Sequence, residues 1–565
     1  MQRPALFDQL LATDVYDLAI IGGGATGLGV ALDAATRGYK VVLLESYDFA
    51  KGTSSRATKL VHGGVRYLAQ GNLSLVREAL YERAVLLHNA PHIVQPLAFV
   101  MPSYKWWETT FYGVGLMLYD LMAGKSAIGS TQFLNKQQVL DRLPQVRSIG
   151  LRGGVQYWDG QFDDARLALE IARTAQQKGA VVLNYCSVES LAHQNHKLSG
   201  LIGKDAETGR VFNVKAKCVI NATGVWVDGI RAMDANTSLG KIEPMVTPSQ
   251  GVHLVVDRSF LSKDFALLVP STQDGRVLFA VPWLGKVILG TTDTPRTDLP
   301  IEPMAFAEEV DFILKESARY LSKAPSRADV RSVWVGLRPL VKPQKTTSGN
   351  TKGISREHTI LISESGLVTV TGGKWTTYRA MAEDVLQQCL DSGLITKSDK
   401  LPMTADCPLV GAPRLDESYS GIPLTHQQGP HSYGTEQSLL STLPGCTLWL
   451  CEGLSEAMVR FAVRYEYART VEDMLARRSR LLFLDAALAL ELSDKVATIL
   501  ISEKIQNPQL EAFKTLAQSY MLPTLRCPRN YSNLSNSSST ARVNLYWFES
   551  FFLSTFLGRT KKLQL

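Results

Sequence analysis

The sequence predicts an α/β protein with a nucleotide-binding βαβ domain, an antiparallel-sheet domain interleaved with it, and a helical C-terminal domain. Three observations lead to this prediction. A strand, a glycine-rich turn and a helix stand near the amino terminus, helical and strand-like segments alternate through the middle, and helical periodicity dominates after residue 455. The chain has 565 residues, too many for one hydrophobic core, so two or three domains are expected.

The first predicted element is a βαβ unit. Residues 15–21 (VYDLAII) predict a strand, LGVALDAATRG predicts a helix that ends at a glycine, and residues 40–45 (KVVLLE) predict a second strand. The turn GGGATG joins the first strand to the helix. A unit of this length with this order of elements is typical of dinucleotide-binding domains.

The glycine-rich turn carries the pattern G-x-G-x-x-G. Gly22 permits the tight turn, Gly24 lets a pyrophosphate approach the backbone, and Gly27 lets the helix pack on the strand. The N–H groups and the dipole at the start of the helix favour phosphate. Glu45 ends the second strand, where its carboxylate can accept both hydroxyls of a ribose.

The middle of the chain predicts a mixture of helices and strands. FDDARLALEIARTAQQKG begins with Asp, has apolar residues three and four apart and ends in Gly, so it predicts a helix. VFNVKAKCVINATG predicts a strand that ends in a turn, and GRVLFAVPWLGKVILGTT predicts two antiparallel strands. GLVTVTGGKWTTYRAMAEDVLQQCL predicts a strand, a glycine pair and a helix.

Two later turns favour FAD over an exchangeable nicotinamide cofactor. Ala222, Thr223 and Gly224 form a small-residue turn after a strand, of the kind that passes close to a bound dinucleotide. Gly372 and Gly373 stand at the start of a predicted helix, whose N–H groups can stabilise negative charge on a reduced flavin. A chain that returns three times to one cofactor suits the long, buried FAD, so a Rossmann-type FAD-binding domain is expected.

The C-terminal part differs in composition. Residues 411–445 are rich in Pro, Gly, Ser and His, which is typical of a linker or an irregular cap, and residues 455–490 predict continuous helix. From residue 526 the chain is polar and of low complexity, and it ends in the aromatic segment 545–557 followed by basic residues. That segment is too short to span a bilayer. An interfacial anchor, docking on the protein's own body and an irregular terminus remain open.

These observations predict the following domains. Residues 1–405 form the FAD-binding domain with the interleaved substrate-binding sheet domain, whose parts lie at roughly 90–150 and 240–345. Residues 406–525 form the helical domain, and 526–565 form a tail of uncertain order.

The composition limits the functional classes. Hydrophobic residues make up 45% and charged residues 20% of the chain, as in ordinary globular proteins. The net charge of +7 suits an anionic substrate or membrane surface and is too weak to indicate nucleic-acid binding. The seven cysteines show no CxxC pair and no histidine at metal-ligand spacing, which favours reduced thiols, no metal site and a cytoplasmic location. Neither a secretory leader nor a membrane span is expected.

Eight motifs together resemble the FAD-dependent, respiratory-type glycerol-3-phosphate dehydrogenases, within the glycine-oxidase and D-amino-acid-oxidase-like flavoproteins. They are IIGGGATGLGVALDAATRG, TSSRATKLVHGGVRYL, DDARL, VINATGVWV, ILGTTDT, VGLRPL, ISREHTI and TGGKWTTYR. The resemblance covers residues 15 to about 400 in order, and the helical region to about 520 resembles the family's C-terminal cap. The tail from residue 526 matches nothing in the family.

The resemblance implies a reaction. sn-Glycerol 3-phosphate is oxidised to dihydroxyacetone phosphate by hydride transfer to FAD, and the electrons pass to a membrane quinone. It implies peripheral association with the cytoplasmic face of the membrane and no nucleic-acid partner, and it leaves the oligomeric state open, a homodimer included. The implied substrate-site residues are Arg66, Arg338, Arg356 and Lys374, with Tyr67 and His62 beside the flavin.

The residue types fit this chemistry. Arginine forks bind phosphate oxygens bidentately, and Arg338 lies at a predicted strand end where its fork can be fixed. Arg66 follows His62 by four residues, so the two share a face if residues 62–68 are helical. His62 is a candidate base for the hydroxyl proton, since the usual pKa of histidine is about 6.5. Lys374 either stabilises the developing alkoxide or binds phosphate.

Other roles for His62 remain open. It can pack against or hydrogen-bond to the flavin without moving a proton, or carry a covalent flavin link. The expected catalytic residues are therefore His62, Arg66, Arg338 and Lys374. The complete set of expected FAD contacts is Gly22, Gly23, Gly24, Thr26, Gly27, Glu45, Thr53, Ser54, Ser55, Lys59, Leu60, His62, Ala222, Thr223, Gly224, Gly372, Gly373, Lys374, Trp375 and Thr376.

Two alternative functions remain. An oxidase of the same fold would pass electrons to O₂ and act on glycerol phosphate or on an amine such as glycine. The arginine set argues against a small neutral or amine substrate. A flavoprotein that binds RNA or a protein partner is a third hypothesis, disfavoured by the modest charge and the absence of basic stretches interleaved with aromatic residues.

Overall fold

The glycine-rich unit belongs to the first of two large sheets in a computed structural model. The model describes residues 3–64, 72–235, 243–272, 275–342, 358–413 and 421–523. The described strands are β1 (Tyr16–Ile21), β2 (Val41–Leu44), β3 (Leu60–Val61), β4 (Val94–Ser103), β5 (Gln132–Asn135), β6 (Gly153–Phe162), β7 (Val181–Leu183), β8 (Cys186–Gln194), β9 (Lys197–Asp205), β10 (Val211–Asn221), β11 (Val246–Asp257), β12 (Phe265–Val269), β13 (Leu278–Trp283), β14 (Lys286–Gly290), β15 (Thr294–Pro295), β16 (Ser332–Val341), β17 (His358–Ile362), β18 (Leu367–Gly372), β19 (Trp449–Cys451) and β20 (Leu454–Ser455).

The described α-helices lie between and after these strands. They are α1 (Arg3–Ala12), α2 (Ala25–Thr36), α3 (Leu73–Asn89), α4 (Glu108–Ala123), α5 (Lys136–Arg142), α6 (Asp164–Gln177), α7 (Val227–Ala235), α8 (Ala307–Tyr320), α9 (Tyr378–Asp391), α10 (Gln437–Ser441), α11 (Glu456–Tyr465), α12 (Leu481–Leu484), α13 (Ala486–Ser502) and α14 (Leu510–Ser519).

The first sheet has the strand order β17-β18-β10-β1-β2-β7, and β8 and β9 extend it beside β10. The pairs β18–β10, β10–β1, β1–β2 and β2–β7 are parallel, and β17 is antiparallel. Strand β1 is apolar on both faces because both faces are covered. Helices α2, α6 and α9 pack over Leu18 and Ile20, whereas α1 and the β8–β10 arm cover Ala19 and Ile21. The predicted βαβ unit is confirmed.

The second sheet has the order β15-β11-β14-β13-β12-β4-β6-β3, with β16 beside β11 and β5 beside β6. Its pairs are antiparallel except β4–β12. The predicted antiparallel pair is β13–β14. The sheet also takes in 60–61 and 153–162, outside the two predicted substrate ranges. The α/β fold class is confirmed, and the division into domains stays a prediction.

The prediction of continuous helix over 455–490 is wrong. The chain forms α11, a π-helical turn (Asp473–Arg478), α12 and α13 instead. Tyr467 and Arg480 have a φ of 60°, in the left-handed region, which interrupts the helix at both points. The side-chain pattern is helical, but Arg477 and Arg478 in the π-helical turn make long-range ion pairs with Asp48.

The prediction that the glycine pair opens a helix also needs correction. Gly372 and Gly373 have φ values of 86° and 72°, so neither is helical. A short 3₁₀ turn over Trp375–Thr377 follows, and α9 begins at Tyr378. The irregular character expected for 411–445 agrees with the described part, which holds a 3₁₀ segment at Pro430–Glu436 and the short α10.

Candidate active site

Four turns meet at the carboxyl edge of the first sheet. They follow β1, β2, β10 and β18, which run parallel and therefore end at one edge. The Gly22 amide donates to the Leu44 carbonyl at 2.9 Å, and Thr371 Oγ1 donates to the Gly224 carbonyl at 2.9 Å. A Cβ on Gly22 would lie 2.7 Å from the Ala222 carbonyl oxygen. The turns are packed backbone against backbone, which only small residues allow.

The glycine-rich turn forms a cradle for phosphate. Gly22 has a φ of +109°, and a Cβ on Gly27 would lie 2.0 Å from the Gly22 oxygen, so both positions need glycine. A Cβ on Gly24 would lie 3.1 Å from Ser54 Oγ, the atom that accepts the Ala25 amide at 2.9 Å. The N–H groups in the first turn of α2 have no carbonyl acceptor within the helix. They point out of this turn. The residues fit the pyrophosphate of a dinucleotide.

Glu45 supports the glycine-rich turn. Its Oε2 accepts the Gly23 amide at 2.6 Å and its Oε1 accepts the Tyr47 amide at 2.9 Å. Burial raises the pKa of the Glu45 carboxyl, while these amides lower it. The carboxylate therefore anchors the turn from the end of β2. Its contact with a ribose stays a prediction.

The segment 53–62 is fastened to the turn after β18. The Trp375 indole N–H donates to the Ser54 carbonyl at 2.7 Å, and the His62 amide donates to Thr376 Oγ1 at 3.2 Å. His62 and Lys374 are half-buried. Two segments more than 300 residues apart in sequence thus line the same edge, which supports the expectation that they share a ligand.

Arg338 lies within β16, opposite Ser249 of β11, and not at a strand end as the sequence predicted. Its guanidinium donates to the Thr292 carbonyl at 3.0 Å, to the Gln250 carbonyl at 3.3 Å and to Asp293 at 3.3 Å. Its side chain is 24% exposed. Thr53 Oγ1 donates to the carbonyl of Leu337, the residue before Arg338, at 2.6 Å. This bond joins β16 to the segment 53–62. The fork is thus fixed in orientation and still reachable.

Lys59 and Ser55 lie in a buried network. The Lys59 ammonium donates to Asp164 Oδ2 at 2.7 Å and to the Ser55 carbonyl at 2.8 Å, and it lies 4.6 Å from the Trp334 ring centroid. Arg480 donates to Asp164 Oδ1 at 3.0 Å and to the same Ser55 carbonyl. Burial lowers the pKa of Lys59 to about 7. Lys59 thus ties the segment 53–62 to α6, and Arg480 joins both to the C-terminal region. The contact of Lys59 with a cofactor stays a prediction.

His253 is a candidate functional residue that the sequence analysis missed. It lies in β11, stacked on Trp334 with ring centroids 4.0 Å apart, and its Nε2 is 2.9 Å from Thr58 Oγ1. Burial lowers its pKa well below the usual value, and Lys59 and Arg338 lower it further, so the imidazole is neutral. A lone histidine in the apolar run GVHLVV was the available signal.

The remaining predicted residues fall into two groups. Arg66, Tyr67 and Arg356 lie outside the described residues, as does most of the segment 62–68, so the condition that it is helical stays untested. Leu60 is buried in β3, and Thr223 Oγ1 donates to Asn221 Oδ1 at 2.8 Å in the turn after β10.

Among the residues that the structure describes, no group of three or more His, Cys, Asp or Glu side chains is placed to hold a metal ion. Among those same residues, no helix combines the length and the apolar character needed to cross a membrane.

Comparison with known proteins gives a consistent result. The family described as FAD dependent oxidoreductase matches residues 17–379, and the C-terminal domain of alpha-glycerophosphate oxidase matches 403–507. The mitochondrial glycerol-3-phosphate dehydrogenase of Rattus norvegicus is 41% identical over 531 residues, 88% of this chain and 72% of that protein. The mitochondrial glycerol-3-phosphate dehydrogenase of Schizosaccharomyces pombe is 38% identical over 546 residues, 86% of this chain and 84% of that protein.

A solved structure agrees in fold. The glycerol-3-phosphate dehydrogenase from Bacillus halodurans, complexed with FAD, superposes with a TM-score of 0.71 at 29% identity. The match covers 93% of this chain and 99% of that one.

Proposed function

The chain belongs to the family of FAD-dependent glycerol-3-phosphate dehydrogenases, and from this premise we propose that it oxidises sn-glycerol 3-phosphate and passes the electrons to a membrane quinone. The observation that carries the proposal is the 41% identity over 531 residues to a glycerol-3-phosphate dehydrogenase. The product is dihydroxyacetone phosphate. The site residues below are part of the proposal.

The phosphate of the substrate or its reacting oxygen is bound by four basic residues with Tyr67 beside them. They are Arg66, Arg338, Arg356 and Lys374. A phosphomonoester carries nearly two negative charges, and a guanidinium fork binds its oxygens bidentately. The fixed yet reachable guanidinium of Arg338 supports this assignment, because a preorganised donor loses little entropy on binding.

His62 takes the proton of the secondary hydroxyl. FAD supplies the two-electron acceptor for the hydride when it is bound. The bond between the His62 amide and Thr376 holds the histidine's backbone beside the turn after β18, and a neutral imidazole can accept a proton near pH 7. Lys374 stabilises the oxygen as the proton leaves. His253 is a weaker candidate for proton acceptance, because burial and the neighbouring cations lower the pKa of its imidazole well below the usual value.

The chain's own residues hold FAD along the carboxyl edge of the first sheet. Gly22, Gly24 and the start of α2 bind the pyrophosphate, and Glu45 binds the ribose. The turns at 222–224 and 372–376 and the segment 53–62 line the flavin. The packed glycine turns and the amide donors of α2 support this arrangement.

The proposed dehydrogenase and the alternative oxidase differ in their electron acceptor. We propose a quinone and peripheral attachment to the membrane. The second candidate is an oxidase that uses O₂, favoured by the match of residues 403–507 to a domain of alpha-glycerophosphate oxidase.

The test is anaerobic mixing of the purified holoenzyme with glycerol 3-phosphate while the visible flavin absorbance is followed. Bleaching is expected, with fast re-oxidation by a quinone and slow re-oxidation by air. No bleaching with glycerol 3-phosphate contradicts the substrate, and faster re-oxidation by air than by quinone contradicts the acceptor. Bleaching by glycine but not by glycerol 3-phosphate would indicate an amine oxidase.

A further inference from the structure

The acceptors that fix Arg338 are themselves held in place. The loop 291–293, between β14 and β15, supplies the Thr292 carbonyl at 3.0 Å and the Asp293 carboxylate at 3.3 Å. Pairing with β11 is interrupted across this loop, so side-chain contacts are needed to fix its orientation. The carboxylate of Glu309, in the first turn of α8, makes such contacts.

One oxygen of the Glu309 carboxylate holds both ends of this loop. Oε1 accepts the Thr292 hydroxyl at 2.8 Å and the Thr294 hydroxyl at 2.5 Å, and these two residues flank Asp293 in the chain. Thr292 Oγ1 also accepts the Val252 amide of β11 at 3.0 Å. The residue whose carbonyl accepts the arginine is therefore tied to α8 and to β11 through its own side chain.

The other oxygen of Glu309 ties the strand that faces the arginine. Oε2 accepts the side-chain amide of Gln250, and it accepts the Phe306 backbone amide at 3.0 Å. The Gln250 carbonyl is itself an acceptor of Arg338, at 3.3 Å. One carboxylate thus connects the strand and the loop that together orient the guanidinium.

Burial and chemistry suit Glu309 to this role. The residue is 6% exposed, and an ionised carboxylate only accepts hydrogen bonds, which matches the hydroxyl and amide donors around it. Val310 and Ile313 of α8 are buried in the apolar core that also contains residues of β11 and β14. The carboxylate is therefore presented by a helix that packs on the same strands whose loop it holds.

The simpler role for Glu309 is a helix cap. The bond from the Phe306 amide closes the first turn of α8, as a glutamate at this position commonly does. Such a cap requires that amide alone, and it does not account for the bonds to the two threonines and to Gln250. Glu308 is exposed in the same first turn, where it has a similar position relative to the helix dipole.

We propose that Glu309 is a positioning residue for substrate binding, whose carboxylate holds the loop 291–293 and Gln250 so that the Arg338 guanidinium keeps the orientation in which it binds the anionic substrate. Glu309 acts through Arg338 and not by contact with the substrate. The inference rests on the proposed function for the identity of that substrate, glycerol 3-phosphate. Without the carboxylate, the guanidinium has to be ordered when the substrate binds, which weakens binding.

The test is the rate of flavin bleaching in the holoenzyme, followed without oxygen against the concentration of glycerol 3-phosphate. Glu309→Ala should raise the apparent Kd by about tenfold, because the charge-assisted bonds of Arg338 to the substrate are weakened. The limiting rate should stay within about threefold of the wild type, since binding and not the chemical step is affected, and the FAD content should not change. The matched control Glu308→Ala should equal the wild type in all three.

A second background separates positioning from a general loss of structure. In an Arg338→Ala protein, Glu309→Ala should raise the apparent Kd no further, because the residue through which it acts is gone. Thr294→Val removes one hydroxyl from Oε1 and leaves the helix cap in place. It should raise the apparent Kd by about threefold, and it decides the matter if Glu309→Ala does not fold.

Hydrogen–deuterium exchange reports on the loop without any substrate. The Val252 amide donates to Thr292, which Glu309 holds. Peptides that cover residues 250–254 and 286–296 should therefore exchange faster in Glu309→Ala than in the wild type or in Glu308→Ala.

Three results would overturn the inference. They are an unchanged apparent Kd in Glu309→Ala, an equal rise in the wild-type and Arg338→Ala backgrounds, and unchanged exchange of the two peptides. If glycerol 3-phosphate fails to bleach the wild-type flavin, the proposed function is wrong, and the exchange comparison still decides whether Glu309 holds the loop.

Discussion

Arg338 combines two properties that a phosphate-binding arginine needs. Acceptors on β11 and on the loop 291–293 fix its guanidinium, and about a quarter of the side chain stays open to solvent. The fixed orientation of the guanidinium comes from the pairing of β16 with β11, which the sequence motif GLRPL does not reveal. The motif predicted the residue, and the fold supplies its orientation.

Replacing Arg338 with Ala should raise the KM for glycerol 3-phosphate by about 10- to 100-fold, because a charge-assisted hydrogen bond contributes about 1.5–3 kcal/mol. Bound FAD should be retained. Steady-state kinetics and the flavin content of the purified variant check this. Arg327→Ala, which removes a half-buried arginine paired with the exposed Asp311, is the control. Loss of FAD from R338A would instead indicate a structural arginine.

Replacing His62 with Gln should lower kcat by about 100-fold or more, since positioned proton transfer contributes about that much. The hydrogen bond to Thr376 comes from the backbone amide, so the variant should keep it. The parallel variant His253→Gln tells which imidazole accepts the proton. A near-normal kcat for H62Q would remove His62 from the role of base.

Lys59 should make stability depend on pH. Its pKa is about 7 in the folded protein against a usual 10.5, because burial and then Arg480 disfavour the charged form. Between pH 7 and pH 10.5 the Lys59 amine is mostly protonated in the unfolded chain and mostly neutral in the folded protein. Raising the pH through this window therefore stabilises the folded state, by at most about 1.4 kcal/mol per pH unit.

The measurement is the melting temperature of wild type and Lys59→Met at intervals from pH 7 to pH 9.5, a window set by the cited pKa. The melting temperature of the wild type should rise relative to that of the variant as the pH rises. Taking the difference cancels the other titrating groups. Parallel curves would show that Lys59 keeps its proton throughout. The flavin content of the same variant tests whether Lys59 also contacts FAD.

At the scale of elements, the glycine-rich turn was predictable because its determinants are local. Strand periodicity, three glycines at fixed spacing and an amphipathic helix are written within thirty residues, and each is present in the structure as β1, the turn and α2. The π-helical turn at Asp473–Arg478 was not predictable. Its arginines bond to Asp48, more than 400 residues away, a partner that local sequence does not indicate.

Gly24→Ala should bind FAD less tightly without unfolding. A Cβ there meets only Ser54 Oγ, at 3.1 Å, and occupies the space through which a pyrophosphate approaches the backbone. The flavin content after dialysis should fall, and the far-ultraviolet circular dichroism should not change. The matched control is Gly229→Ala in α7, where a Cβ meets nothing within 4 Å. Full FAD occupancy in G24A would contradict the assignment of this turn.

At the scale of the whole molecule, buried ion pairs join the C-terminal helices to the nucleotide-binding unit. Asp48, in the loop after β2, accepts bonds from Arg477 at 2.5 Å and from Arg478 at 3.0 Å. Burial by itself would raise the pKa of Asp48. The two guanidinium groups outweigh burial, so the pKa of this carboxyl lies below its usual value. The nucleotide-binding unit and the C-terminal helices are thus expected to unfold together.

Asp48→Asn should lower the free energy of unfolding by about 3–5 kcal/mol, because it leaves the buried guanidinium of Arg478 without its carboxylate partner. Arg477 keeps Glu472 and Asp473 as partners. The urea midpoint of the holoenzyme measures this. The control Asp494→Asn removes an exposed partner of Lys514 and should cost less than about 1 kcal/mol. Equal midpoints for the two variants would mean that the buried pair contributes no more than a surface pair.

The sequence by itself determined the fold class, the glycine-rich turn and the family. These rest on short patterns, namely strand and helix periodicity and glycine spacing, whose physical causes lie within a few turns of backbone. Only the tertiary structure decided which side chains are buried and what they face. The burial of Lys59, the stacking of His253 on Trp334 and the contact of Glu309 with Gln250 all depend on neighbours distant in the chain. Local sequence carries no record of those neighbours, because burial is a property of the packed molecule.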